Sequence, residues 1–222
     1  MLSSIQKREF IRKGAEATVS RVSWHGLDCV LKERVQKAYR HPVLDQELRT
    51  TRTRKEARLI HQLKTTGIRV PYLYHVDLRE CSILMERIEG ELLKDAISAS
   101  SQSGDEERVR ALLASLGEMV GTLHDNNFIH GDLTSSNVIV TSDSSTAEGF
   151  SLVLIDLGLG AFSGEVENKG VDLHVLLEAF QSTHSELLEL RDVILDAYRE
   201  RYDGAGEVVA KVEEIERRGR YR

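Results

Sequence analysis

Alternating apolar and polar positions predict two strands early in the chain, Ala17 to Trp24 and Leu27 to Glu33, with His25-Gly26 at the corner between them. A helical spacing follows from Leu44 to Lys64, with Leu48, Leu59, Ile60 and Leu63 as its inward positions and Gly67 beyond its end. Two more strand patterns, Leu73 to Asp77 and Ser82 to Arg87, lead to Gly90, where the character of the chain changes. From there it reads as helical: Leu92 to Ala99, a polar Ser/Gly stretch from Ser98 to Asp105, and a long segment from Glu106 to His124. In that segment Val109, Leu112, Leu113, Leu116, Val120 and Leu123 recur at the helix period and form a core face. Short strands at Val138 to Val140 and Leu152 to Ile155, helices at Val171 to Phe180 and Ser185 to Tyr202, and a charged tail complete the pattern.

The order of elements divides the chain into a strand-rich part, residues 1–89, and a helical part, residues 90–222. With 30 Lys+Arg against 36 Asp+Glu, the net charge of −6 excludes a molecule that binds nucleic acid through overall positive charge. Any such contact is local, and the arginines at 217, 218, 220 and 222 form one basic cluster. No apolar run reaches membrane-spanning length, and the charged first residues do not read as a secretory signal. Cys29 and Cys81 lie in separate apolar runs without metal-ligand spacing, so both are expected as buried free thiols in a reducing compartment, the cytoplasm and/or nucleus.

The chemistry concentrates in His130-Gly131-Asp132-Leu133-Thr134-Ser135-Ser136-Asn137, followed after a hairpin by Leu154-Ile155-Asp156-Leu157-Gly158. Transfer of a phosphoryl group from ATP asks a protein for metal ions on the phosphates and a carboxylate at the acceptor hydroxyl. Asp132 suits the base, and Asn137 and Asp156 supply the oxygen ligands that Mg²⁺ prefers. A second constellation agrees: Val30 and Lys32 share a face of one strand, an apolar contact for a base beside a cation for its phosphates. Glu56, in the helix after it, is the candidate partner of Lys32, although a place in the charge run Arg52, Arg54, Lys55, Arg58 also accounts for it.

Inward lysine, helix glutamate, HGDxxxxN and DLG in this order resemble a protein-kinase fold. The stretches GAEATV, YRHPVLDQELRTTRTRKEARL, MERIEG, LHDNNFIHGDLTSSN, NKGVDLHVLLEAFQSTH and RRGRYR are further similar to the PRPK family, the small atypical kinase/ATPase subunit of the KEOPS (EKC) complex. The resemblance implies an α+β, bilobal kinase-like fold with a small β-rich N-lobe and a reduced, mainly helical C-lobe. It implies an enzyme that uses Mg²⁺ and ATP, autophosphorylates or hydrolyses ATP, and supports threonylcarbamoyladenosine modification of tRNA. Its partners would be the threonylcarbamoyl transferase subunit, other KEOPS subunits and tRNA, the last through the complex and the basic tail.

Residue by residue, the resemblance gives Lys32 to the α/β-phosphates, Glu56 to Lys32, Asp132 to the catalytic base, and Asn137 and Asp156 to magnesium. Gly14 and Val19 belong to the loop over the nucleotide and Val30 to its base; Met85 borders adenine, and the backbone of Glu86 and Ile88 contacts it. Asp172 matches the residue that anchors a kinase catalytic loop, while its place near a helix start offers a plain dipole role as an alternative. The chain also departs from ordinary kinases. The phosphate loop holds one glycine and an acidic residue, Glu16; Gly131 replaces the arginine that reads a phosphorylated activation loop; and the segment from Leu157 to Asp172 leaves little room for a peptide-binding shelf. Two other readings share the motif: small-molecule phosphotransferases of the aminoglycoside and choline type, which carry more chain after the metal aspartate, and a non-catalytic kinase-fold scaffold.

Overall fold

The computed structural model describes residues 5–14 and 16–219, in two compact units. The first holds the chain through Lys64 together with Val70–Ile88; the second holds Thr65–Arg69 together with the chain from Glu89 onward.

In the first unit, β1 (Ile5–Lys13), β2 (Ala17–Trp24), β3 (Leu27–Arg34), β4 (Leu73–Asp77) and β5 (Ser82–Glu86) form an antiparallel sheet in the order β1-β2-β3-β5-β4. Helix α1 (Pro42–Leu63) connects β3 to β4 and begins with proline, whose fixed φ and missing N–H suit a first turn. The β2–β3–β5 register pairs Val19 with Lys32, Lys32 with Ile83, and Val30 with Met85, so these side chains share one sheet face. Val22, Cys29, Leu31 and Leu84 form a buried cluster on the other face, against which Ile5 and Trp24 pack. Strand β1 is absent from the sequence pattern because eight of its nine positions face solvent; main-chain pairing with β2 holds it.

The second unit has two small sheets. In one, β6 (Glu91–Leu92), β8 (Val138–Ser142) and β9 (Phe150–Leu154) run in the order β6-β8-β9; in the other, β7 (Phe128–Ile129) pairs with β10 (Ala161–Phe162). Its described residues also form the α-helices α2 (Leu93–Ser103), α3 (Glu106–Asp125), α4 (Val166–Thr183), α5 (Arg191–Arg201) and α6 (Ala205–Gly219). All six apolar positions of the α3 pattern are buried. Gly117 permits close approach of α3 to α5, because a Cβ there would stand 2.3 Å from the carbonyl oxygen of Ile194.

Three boundaries differ from the pattern. The serine-rich stretch after Ala99 continues α2 as far as Ser103, where Gly104 at φ 74° caps it and the Asp105 side chain accepts the Arg108 amide to start α3. The run from Ser185 is a 3₁₀ segment to Leu190 before α5 begins. The charged tail contains α6, whose Val208, Val209 and Val212 are buried and which packs on α4. Charge density hid that apolar stripe. Arg217 and Arg218 lie in α6 and Arg218 pairs with Glu214, while Arg220 and Arg222 lie outside the described residues. Both cysteines are buried and free. No helix among the described residues is long and apolar enough to cross a membrane.

Candidate active site

In the second unit, the segment from His130 to Asn137 is held from beneath by Asp172. Its Oδ2 accepts the His130 amide at 2.8 Å and its Oδ1 the Gly131 amide at 2.7 Å. Helix α4 begins at Val166, so Asp172 sits in the second turn and is fully enclosed, and a first-turn dipole role no longer describes it. Burial opposes ionisation of Asp172, but the bonds from His124, His130 and Gly131 outweigh it and hold its pKa below the ordinary aspartate value. His124 on α3 donates Nε2–H to Asp172 Oδ2 over 3.4 Å, while its Nδ1 accepts the Tyr198 hydroxyl of α5 at 2.9 Å. Burial raises the pKa of that tyrosine, so it stays a donor. Three helices thus converge on one loop.

His130 is buried between the loop and the end of β9, its Nε2 donating to the Ile155 carbonyl at 3.3 Å and its Nδ1 accepting the Asp132 amide. Gly131 has φ 78°, and a Cβ there would stand 3.0 Å from the Leu159 carbonyl oxygen, so the position demands glycine. The Asp132 carboxylate is exposed. Asn137 is buried and spends its side-chain nitrogen on the Asp132 main-chain oxygen at 2.8 Å, while its main-chain carbonyl, and not its side chain, takes the Ile155 amide at 2.9 Å. The Oδ1 of Asn137 is thereby left as a hard oxygen donor. Asp156 directly follows Ile155 in the left-handed region, at φ 60°, with its carboxylate exposed. Asp132, Asn137 and Asp156 offer oxygen atoms only, a donor set that fits Mg²⁺.

After Asp156 the chain returns quickly to α4. β10 pairs with β7, the Ser163 amide donates to the Asn127 carbonyl at 2.8 Å, and Lys169, buried at the start of α4, bonds Asn127 and the Tyr202 hydroxyl. This short, pinned link leaves no long activation segment.

In the first unit, Lys32 Nζ donates to Glu56 Oε1 at 2.7 Å. Glu56 is 1% exposed, so the sequence alternative that made it part of a solvated charge run is excluded. Its other oxygen accepts Arg34 Nη2 at 2.6 Å, and Arg34 Nη1 reaches Glu16 in the phosphate loop at 3.2 Å. Arg52 of α1 also pairs with Glu16, whose carbonyl accepts the Val35 amide. The acid in the glycine-poor loop is therefore tied to two arginines, a link that the sequence reading missed. Its signal was the two-residue spacing from Lys32 to Arg34. Gly14 closes the loop by donating its amide to Ala17. Met85 is buried beside Val30 in the register, and Ile88 ends the unit. The Glu86 amide is already taken by the Tyr72 carbonyl at 2.8 Å. Each unit thus brings together its own half of the predicted set.

Two solved structures share this fold. Rio2 kinase from Chaetomium thermophilum, in a complex with ADP/Mg²⁺ and phosphoaspartate, matches with a TM-score of 0.64 at 16% identity, over 99% of this chain and 72% of that one. WaaP, in complex with acyl carrier protein, matches at 0.62 and 17%, over 97% and 90%. Fold and residues together define a chain of the kinase-like class, strand-rich in its first part and mainly helical in its second. The family model described as the lipopolysaccharide kinase (Kdo/WaaP) family matches residues 4–187. The KEOPS complex subunit bud32 of Dictyostelium discoideum is 40% identical over 95% of this chain and 82% of its own length. The KEOPS complex subunit Bud32 of Pyrococcus abyssi is 38% identical over 96% of both. The chain belongs to the lipopolysaccharide kinase (Kdo/WaaP) family and is a relative of the Bud32 subunits at this level of identity. A probable bifunctional tRNA threonylcarbamoyladenosine biosynthesis protein of Methanothermobacter thermautotrophicus is 42% identical over 96% of this chain, which spans only 36% of that relative's length.

Proposed function

We propose that the chain uses Mg²⁺ and ATP as an atypical serine/threonine kinase and ATPase, and that it serves a KEOPS assembly making threonylcarbamoyladenosine in tRNA. The observation that carries the catalytic part is the buried Lys32–Glu56 ion pair. An enclosed ion pair is a poor way to stabilise a fold, since apolar residues of the same volume do as well without the desolvation cost. Its presence is accounted for by a ligand that needs a fixed positive charge.

Lys32 would neutralise the α/β-phosphates, with Val19, Val30 and Met85 against the base. With the Glu86 amide occupied, an adenine contact at that residue falls to its carbonyl, and a second falls to the backbone of Ile88. Asn137 and Asp156 would hold Mg²⁺, which supplies charge compensation to the phosphates when bound. Asp132 accepts the proton of an acceptor hydroxyl or water as its oxygen bonds to the γ-phosphorus and ADP departs. The assembly is supported by the Bud32 relatives that match over most of their length, against 17% identity with WaaP. Partners would be the threonylcarbamoyl transferase subunit, other KEOPS subunits and tRNA, in the cytoplasm and/or nucleus.

The test is ATP hydrolysis and autophosphorylation by the chain alone and with the transferase subunit, each with and without tRNA. We expect turnover that depends on Mg²⁺, changes severalfold with the partner, and is lost in Lys32→Met. Full turnover in a folded Lys32→Met protein would refute the assignment.

A further inference from the structure

The C-terminal arginines form a basic cluster in the sequence, yet Arg218 is engaged with carboxylates of α4 and α6. A denser concentration of positive charge lies in the first unit. There a concavity of about 370 Å³ opens between the end of β3, the turn after it and α1. Arg34, Lys37, Arg40, Arg49 and Arg52 line it. Glu16 pairs with Arg34 and Arg52, the buried Asp45 with Arg40 and Arg49, and Glu56 is shared between Arg34 and Lys32. The lining itself carries five cations against one carboxylate, Glu16, on a chain whose net charge is −6.

Two further observations show what suits the concavity. The Glu16 carboxylate is already seated on Arg34 and Arg52, so an oxyanion is stable there. At its rim Tyr39 is 78% exposed, with the Arg40 guanidinium 5.3 Å from the ring centroid. An exposed aromatic ring backed by arginine is a platform on which an unpaired base can stack. The basic character continues along α1 through exposed Arg54, Lys55 and Arg58, with Glu47 as the only exposed carboxylate of that helix. A path of cations beside a stacking ring matches the repeating phosphates of an RNA strand better than a single phosphorylated side chain, which has one phosphate and no base.

We propose that this concavity is an RNA-binding site, with Arg40, Arg52 and Lys37 taking backbone phosphates and Tyr39 stacking an unpaired base. The proposal rests on the reading of the chain as part of a tRNA-modifying assembly, and it assigns to the first unit a contact that the sequence placed in the tail.

The test uses the full chain and a fluorescent single-stranded RNA oligonucleotide, with anisotropy followed across a salt series. Lys37→Glu should weaken binding about tenfold at low salt and flatten the log–log salt dependence by roughly one unit. Tyr39→Ala should weaken it about fivefold or more and leave the slope unchanged, because stacking releases no counterions. Both variants should keep the melting temperature and the Mg-ATP affinity of the parent. RNA affinity unchanged in both variants would overturn the site, as would a phosphoserine peptide that binds the parent more tightly than RNA and loses affinity in Lys37→Glu. ATP turnover measured alongside separates the two readings: a chain that hydrolyses no ATP but loses RNA in Lys37→Glu keeps this site and loses the proposed activity.

Discussion

The Asp172 carboxylate accepts the main-chain amide of Gly131 at 2.7 Å, and this contact fixes the loop that presents Asp132. Asp172→Asn turns an amide donor toward one of two buried N–H groups. We expect a loss of about 1–3 kcal/mol in stability and a larger relative loss in ATP turnover. The pH dependence has a definite sign. With its native pKa below that of the unfolded chain, about 3.9, Asp172 contributes stability that is complete above that value and disappears as acid protonates it. Acid unfolding followed by circular dichroism should therefore show a shallower loss below pH 4 in the variant.

Asp156→Asn should remove Mg²⁺-dependent ATP turnover and leave the fold intact, since the exposed side chain supports no core packing. Unchanged turnover with an unchanged melting curve would contradict the metal role.

Restoring the arginine of ordinary kinases should harm this chain. Gly131→Arg places a side chain at φ 78° with its Cβ against Leu159, at a cost of about 2 kcal/mol. Differential scanning calorimetry should register the drop, and no phosphate-dependent activation should appear in exchange.

Ser163, the only hydroxyl between Leu157 and Lys169, helps to start α4, because its Oγ accepts the Glu165 amide at 3.2 Å and the Asn168 side chain at 2.9 Å. Ser163→Ala should lower stability by about 0.5–1 kcal/mol with turnover per folded molecule unchanged. Ser163→Asp, an equally good acceptor, should restore the stability. Activity that follows the charge at 163 rather than the folded fraction would instead reveal a phosphorylation switch.

His184 closes α4 fully buried, with neither ring nitrogen hydrogen-bonded, and burial pushes its pKa down. Because the unfolded histidine takes up a proton near pH 6.5 and the native one does not, stability falls as pH drops through that value, by at most about 1.4 kcal/mol per unit. His184→Phe, beside Phe180, should flatten the melting temperature between pH 6.5 and 5.

The residues that could be read from the sequence were those whose chemistry depends on order along the chain. Lys32, Glu56, Asp132, Asn137 and Asp156 stand in the order and spacing that the proposed phosphoryl transfer would use, and the strands and helices beneath them follow periodicities of two and 3.6. What stayed hidden acts across elements. Tyr198 reaches Asp172 only through His124, and three helices must pack before the chain of contacts exists. Arg34 looks like one more strand-end cation until α1 brings Glu56 to it. Strand β1, with little apolar surface to bury, left no alternation to find.

Both oxygens of Glu56 are engaged, one by Lys32 and one by Arg34, in a buried setting. Many kinases idle by swinging the corresponding helix away from its lysine. Here that movement would strand a carboxylate and two cations away from water, at about 3–5 kcal/mol for a broken buried pair, which leaves the swung-out form below about one molecule in a hundred. If the chain acts as proposed, a regulator that works by capturing such an idle conformer would find almost none of it. Under the proposed function, a partner would then act on the steps after this pair is formed, and not by choosing between paired and unpaired forms of Lys32 and Glu56.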